Sequence, residues 1–327
     1  MSTQEPLSDM SVKAILVTGA TGKQGGAVVD ALLDSNANHG TGYTILAVTR
    51  DASSTSAQRL AAKSPGVIEL VQGNLDNVQA LFEEARRVND GYPIWGVYSV
   101  QVSLGPGVTR DSEIKQGTAL IDASIAAGVK HFVYSSIERG GDDKSWDTQT
   151  PIPHFQSKYQ IERHLRDATA NGKSSMGWTI LRPVAFMDNL APGMPTKVFL
   201  AALRNYLGEN DKKLQWVATS DIGVFVAKAF DNPEEWEGRA VGLAGDELTF
   251  DELSRAFTRV TGHPAPVSYG ILGIVLTYLV KEMGLMIGWF ASDGYGADIA
   301  ACRREYPELL NMEQWLAKKS PFATAAK

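Results

Sequence analysis

Up to about Arg182 the chain alternates between two hydrophobic patterns. Residues 14–18, 44–49, 67–71, 95–100, 131–135 and 178–181 are short, nearly continuous apolar runs rich in β-prone side chains. They predict strands buried on both faces. Between them, residues 22–33, 57–63, 78–88, 113–127 and 153–168 carry helical spacing, with Val28, Val29, Leu32 and Leu33 along one side of the first. Strand–helix alternation with doubly buried strands means a parallel sheet covered by helices, an α/β fold of Rossmann-type, doubly wound topology.

Regularity ends where Pro183, Pro192 and Pro195 interrupt the chain. Helices are expected over 196–206, 222–230 and 249–261, and strands over 214–218 and 239–243. Thr249 with Glu252 three residues on reads as a capping box, closed by Gly262 and followed by Pro264. The expected organisation is a Rossmann domain over 12–190 with sheet elements returning near 214–245. A smaller interleaved α/β C-terminal lobe covers 191–213 and 246–318, and residues 1–11 and 319–327 are tails. The most apolar stretch, 269–290, reads as a helix, but Lys281 and Glu282 interrupt it. The uncharged run before them, about twelve residues, is too short for a membrane span. A buried or oligomer-facing helix, or an apolar pocket wall, is expected there, with Trp289 and Phe290 in the core.

Composition narrows the function. Of 327 residues one is cysteine, Cys302, so no internal disulfide can form. A reducing compartment, cytoplasmic or nuclear, is expected. Arg303 and Arg304 beside that thiol would favour a thiolate, but a lone helical cysteine is by default a packing residue. Thirty-one basic against thirty-seven acidic residues give a net charge of −6, and no Lys/Arg block supplies a local footprint for direct nucleic-acid binding. The polar opening MSTQEPLSDMSVK lacks the apolar region of a secretory signal. Five histidines show no metal-ligand spacing and no G-x-S-x-G elbow occurs, so neither a metal site nor a serine hydrolase is expected.

The clearest chemical signal is Thr18-Gly-Ala-Thr-Gly-Lys-Gln-Gly-Gly26, a GxxGxxG array between the first strand and first helix. Gly19 allows the tight turn, Gly22 lets backbone approach a pyrophosphate, and Gly25 allows close helix–sheet packing. The helix N-terminus then offers unpaired N–H groups to phosphate. The GK[ST] ending of a nucleotide-hydrolysing loop is missing. Strand two ends at Arg50, placed to fork onto a 2′-phosphate, which favours NADP(H) over NAD(H); Asp51 beside it opposes that choice. Asn74 and Leu75 would flank an adenine, and Val100 and Gln101 would lie near a ribose and the pyrophosphate, by topology.

Short-chain dehydrogenases place Tyr-x-x-x-Lys on the helix after strand five, with both side chains on one face. Here Lys158 stands at the lysine position and His154 at the tyrosine position; Tyr159 points off that face. Ser136 keeps a hydroxyl at the end of strand five. His154 is either an alternative proton donor, kept neutral at a helix N-terminus, or a structural residue in a site that has lost its acid. Lys158 is either a ribose ligand or the partner of Glu162 one turn on.

These residues together resemble the NmrA-like family of atypical short-chain dehydrogenase/reductase proteins. The resemblance rests on Thr18 to Gly26, Val48-Thr-Arg50, Glu113-Ile-Lys-Gln-Gly117, Val133-Tyr-Ser-Ser136, His154-Phe-Gln-Ser-Lys158, Leu181-Arg-Pro183 and Phe186-Met-Asp-Asn-Leu190, and covers roughly residues 12–317. Gly294-Tyr-Gly-Ala-Asp-Ile299 and Met312-Glu-Gln-Trp-Leu316 are similar to fungal members. The resemblance implies NADP(H) along the carboxyl edge of the sheet. Gly19, Thr21, Gly22, Lys23, Gln24 and Gly25 would hold the pyrophosphate, and Arg50 the 2′-phosphate. Lys158 would hold the nicotinamide ribose, with Phe186 and Asn189 beside the nicotinamide. The family includes regulators and redox sensors that lack the tyrosine and act through a protein partner such as a transcription factor. It also includes reductases, among them quinone reductases and pathway enzymes from fungal gene clusters, which for this chain implies a small apolar substrate as the alternative. Asn74 stands where aspartate is usual, and extra residues occur around 141–150 and 170–174.

Overall fold

The computed structural model describes residues 13–103, 105, 107–208 and 212–324. Residues 1–12 lie outside them. The first half runs β1 (Ala14–Val17), α1 (Lys23–His39), β2 (Thr44–Thr49), α2 (Thr55–Ala61), β3 (Ile68–Gln72), α3 (Val78–Val88), β4 (Ile94–Ser99), α4 (Arg110–Ala126), β5 (His131–Ser135), α5 (Asp142–Asp147), α6 (Pro153–Thr169) and β6 (Gly177–Pro183). The second runs β7 (Ala185–Phe186), α7 (Met194–Leu207), β8 (Leu214–Val217), α8 (Thr219–Asp231), α9 (Pro233–Trp236), β9 (Arg239–Leu243), β10 (Asp246–Leu248) and α10 (Phe250–Thr261). It continues through α11 (Gly270–Leu279), α12 (Lys281–Ser292), α13 (Ile299–Glu305), α14 (Met312–Lys318) and α15 (Pro321–Thr324).

Seven parallel strands form the main sheet in the order β3-β2-β1-β4-β5-β6-β9. The strand order reverses between β1 and β4, which opens a crevice at the carboxyl edge. The near-continuous apolar strands explain the topology. Every residue of β1 and β5 is buried, so helices must cover both faces. Of the sheet elements expected near 214–245, β9 joins this sheet. β8 instead pairs with β7 and antiparallel β10 in a separate three-stranded sheet. The capping box at Thr249 and Glu252 forms, and Gly262 ends α10 in the left-handed region.

The apolar stretch 269–290 is two helices, not the single helix its composition suggests. Val280 leaves helical geometry, and Lys281 and Glu282 open α12. α11 packs on α7 but leaves Ile271 and Ile274 exposed. Trp289 and Phe290 are buried as expected; the Trp289 ring lies edge-on to Phe155 and Tyr295, at 5.3 and 5.4 Å.

Two buried charge networks fix the segment after β5. Glu162 bonds both Arg139 and Arg182, all three fully inaccessible as side chains. Glu138 accepts backbone N–H groups of Gly140, Gly141 and Gly296. A Cβ on Gly296 would lie 2.8 Å from Gly141 N, so the Gly294–Ile299 motif is a docking contact between the C-terminal segment and this loop.

Candidate functional site

The phosphate turn follows from its glycines. Gly19 has φ +62°, which an L side chain rarely adopts, and its carbonyl accepts from Gly22 N–H at 2.9 Å. A Cβ on Gly25 would sit 2.2 Å from that carbonyl oxygen, so only glycine lets α1 start against the turn. Thr18 Oγ1 anchors the turn to β4, accepting from Val100 N–H at 2.8 Å and donating to Tyr98 O at 3.1 Å. Thr21, Gly22 and Lys23 are exposed at the N-terminus of α1, which has no side-chain cap among the described residues, leaving its first N–H groups available to an anion.

Two side chains of this turn reach across the crevice. Lys23 Nζ donates to Asp188 O at 2.7 Å and Asn189 Oδ1 at 3.2 Å, tying the turn to the segment after β7. Gln24 Oε1 accepts from Ser135 Oγ at 2.7 Å and Tyr98 OH at 3.4 Å, which holds its amide over the ends of β4 and β5.

Arg50 is exposed at the end of β2 and has no hydrogen bond or ion pair among the described residues. The competing Asp51 carboxylate is occupied by Ser53, through Oγ at 2.6 Å and N–H at 2.8 Å; these bonds hold its pKa below the ordinary aspartate value. Asn74 Oδ1 accepts from Asp76 and Asn77 N–H, closing its own loop. Leu75 is half-buried beside it, next to the end of β2 through a Gly73 N–H to Thr49 O bond. Gln101 is buried: Nε2 donates to Ser99 Oγ at 2.9 Å and Oε1 has no partner among the described residues. Ser136 is buried, its N–H bonded to Leu181 O at 2.7 Å and its Oγ to Arg139 at 3.4 Å. Phe186 is half-buried on β7 and Asn189 exposed.

On α6 each member of the expected pair is held by a carboxylate from another element. Lys158 Nζ lies 3.1 Å from Glu113 Oε1 of α4, with both side chains buried. Glu113 also accepts from Ser103 Oγ at 2.8 Å and Ser157 Oγ at 2.5 Å. The alternative partner Glu162 is excluded, because Arg139 and Arg182 occupy it. One turn beyond Glu113, a Cβ on Gly117 would collide with Ile161, so Gly117 lets α4 approach α6 closely enough for this pair. The Tyr134 ring centroid is 5.9 Å from Lys158 Nζ; its hydroxyl is buried without a partner among the described residues, and burial pushes its pKa well above the ordinary tyrosine range.

His154 sits in the first turn of α6. Its Nδ1 lies 2.6 Å from Glu282 Oε1, which also accepts the His154 backbone N–H at 3.2 Å. Burial lowers the imidazole pKa, and the Glu282 bond opposes that only in part. Sequence reasoning missed Glu282, which reads there as an interruption of an apolar run. Glu113 stood in a recognised motif without a role.

A cavity of about 460 Å³ is lined by α12 residues including Lys281, Gly288 and Trp289, with Pro151 opposite, so this part of the apolar stretch is a pocket wall. A second, of about 870 Å³, is lined by residues of α1 and α8, Lys23 and Asp221 among them, together with Asp188. Cys302 is buried, donates to Gly242 O, and has its thiol pKa raised by burial, the opposite of activation by Arg303 or Arg304. Among the described residues no cluster of three or more His, Cys, Asp or Glu is placed to hold a metal, and no helix is long and apolar enough to cross a membrane.

The strand order, the glycine turn at the switch point and the small second sheet define a Rossmann-type fold with an appended lobe. The chain belongs to the NmrA-like family, whose model matches residues 11–316. It is 25% identical over 319 residues to an NmrA-like family domain-containing protein of Dictyostelium discoideum, covering 94% of this chain and 97% of that one. It is 28% identical over 272 residues to an NmrA-like family domain-containing oxidoreductase of Aspergillus hancockii, covering 78% and 74%. The relatives thus span an amoeba and a fungus, and the motifs similar to fungal members do not fix a source. Among solved structures, the negative transcriptional regulator NmrA superimposes with a TM-score of 0.69 at 17% identity, covering 97% of this chain and 98% of the regulator. An NADPH-dependent quinone oxidoreductase of Escherichia coli superimposes with 0.65 at 19%, covering 94% and 98%. These likenesses establish a common fold.

Proposed function

We propose that this chain binds NADP(H) in the crevice between β1 and β4 and acts as a redox-responsive regulator through a protein partner. The observation that carries the cofactor reading is Arg50, without a partner among the described residues, beside an Asp51 already engaged by Ser53, one strand from an uncapped phosphate turn. NmrA itself has been solved with NADP and with NAD. The turn and helix N-terminus would hold the pyrophosphate and Arg50 the 2′-phosphate. When bound, the dinucleotide supplies hydride chemistry and a redox state that a partner reads, provided that its two forms differ in affinity for two states of the protein.

The regulator reading rests on the state of the α6 pair. Burial lowers the His154 pKa, which favours the neutral ring, and Nδ1 faces Glu282 at 2.6 Å; a neutral ring that donates from Nδ1 carries a lone pair, and no proton, at Nε2. Lys158 is buried against Glu113. A carbonyl reductase needs an acid at this place. A second reading, an NADPH-dependent oxidoreductase of an apolar carbonyl, enone, imine or quinone, is supported by the oxidoreductases named among the relatives. An imine that is already cationic takes hydride without an acid.

The test is calorimetric titration of the pure chain with NADP+ and NAD+, followed by NADPH oxidation against quinones, enones, imines and aldehydes. Gly25→Val serves as a non-binding control. Tight NADP+ binding without turnover supports the regulator; turnover that disappears in Lys158→Met establishes the oxidoreductase. Equal heats in Gly25→Val and the unaltered chain would refute binding at this turn.

A further inference from the structure

We propose that Glu282 is a positioning residue of this site. From the small lobe it fixes the His154 imidazole in one tautomer, with the proton on Nδ1, and leaves Nε2 as a hydrogen-bond acceptor. Four observations carry the assignment. One carboxylate oxygen takes both the ring nitrogen, at 2.6 Å, and the backbone N–H of the same residue, at 3.2 Å, so ring and helix end are held as a unit. The same Oε1 that accepts the backbone N–H faces Nδ1 as an acceptor, which puts the shared proton on Nδ1. The ring is clamped edge-on to Phe155 at 4.8 Å, and Phe155 is clamped in turn by Trp289 of α12, at 5.3 Å. Among the described residues Nε2 makes no hydrogen bond, yet it is not among the buried unpartnered atoms, so the small exposed part of this residue includes it.

Two consequences follow. The ligand group that His154 recognises is a donor, a hydroxyl or amine rather than a carbonyl. And the first turn of α12 is tied to the helix carrying Lys158, so a ligand at Lys158 and a displacement of α12 are felt at the same ring. The coupling to a dinucleotide rests on the reading proposed above; the tautomer does not. The charged groups that act on the ring are Glu282 from α12, Lys158 on its own helix and Glu113 from α4.

The test is ¹⁵N NMR of the full chain with labelled histidine, the His154 signals being identified by their loss in His154→Gln. The unaltered chain should show one neutral tautomer, protonated at Nδ1. Glu282→Gln keeps an acceptor without the charge, so it should keep the tautomer while lowering the titration midpoint. Glu282→Leu should release the tautomer to a mixture. The buried His131 signals, unchanged in both variants, report that they are folded. If Glu282→Leu is unfolded, the Gln variant still decides: an unchanged midpoint overturns the assignment. A tautomer and midpoint identical in all three proteins also overturn it. Adding NADP+ should shift the His154 signals. If calorimetry shows no NADP+ binding, the cofactor reading fails while the tautomer result stands. If NADP+ binds and His154 does not move, the coupling fails.

Discussion

Lys158 and Glu113 form a buried ion pair between α6 and α4, Nζ to Oε1 at 3.1 Å, with side-chain exposures of 8% and 1%. Removing one member of such a pair leaves an uncompensated charge away from water, which costs about 3–5 kcal/mol. Glu113→Leu should therefore destabilise the chain by about that amount in denaturant unfolding. Glu113→Leu with Lys158→Met together should recover most of it, since both charges are then gone. Additive losses in the double variant would show that the two side chains do not interact as described.

Among the described residues Arg50 is held by no partner, so its replacement tests recognition without disturbing packing. Arg50→Glu should leave the unfolding midpoint unchanged and weaken NADP+ binding by roughly 10- to 100-fold, the worth of a charge-assisted hydrogen bond. NAD+ should then bind at least as well as NADP+. Equal NADP+ affinity in both proteins, measured by calorimetry, would remove Arg50 from the site.

His131 and Asp221 give stability a pH dependence of opposite signs. Burial depresses the His131 imidazole from 6.5 to about 4, so the folded state binds fewer protons than the unfolded chain in that range. Stability should fall as pH drops from about 6.5 to about 4, by on the order of 3 kcal/mol. His154, also depressed by burial, acts in the same direction. Burial raises Asp221 from 3.8 to about 6, so its contribution is present below about 3.8 and is lost as pH rises through 6. Denaturant midpoints between pH 4 and 7 should be less steep in His131→Asn and steeper in Asp221→Asn. Parallel curves in all three proteins would contradict both assignments.

Local chemistry made much of this protein legible along the chain. The central strands β1, β2 and β4 are nearly continuous apolar runs, so their period and flanking glycines expose them without knowledge of their neighbours. The phosphate turn is equally local: a left-handed Gly19 and a Gly25 pressed on its carbonyl need glycine at fixed spacing, whatever surrounds them. His154 and Lys158 fall on one helix face because helical period puts them there. What the chain could not show by itself are partners brought from far away. Glu113 lies 45 residues from Lys158, and Glu282 lies 128 residues from His154. The pairing of Leu214–Val217 with Ala185–Phe186, away from the main sheet, is likewise a matter of packing. A carboxylate in a sequence carries no mark of which cation it will face, and Lys158 had Glu162 at helical spacing as the local choice. The tertiary structure decided otherwise because Arg139 and Arg182 hold Glu162 from the other side, while Gly117 lets α4 come close enough to offer Glu113.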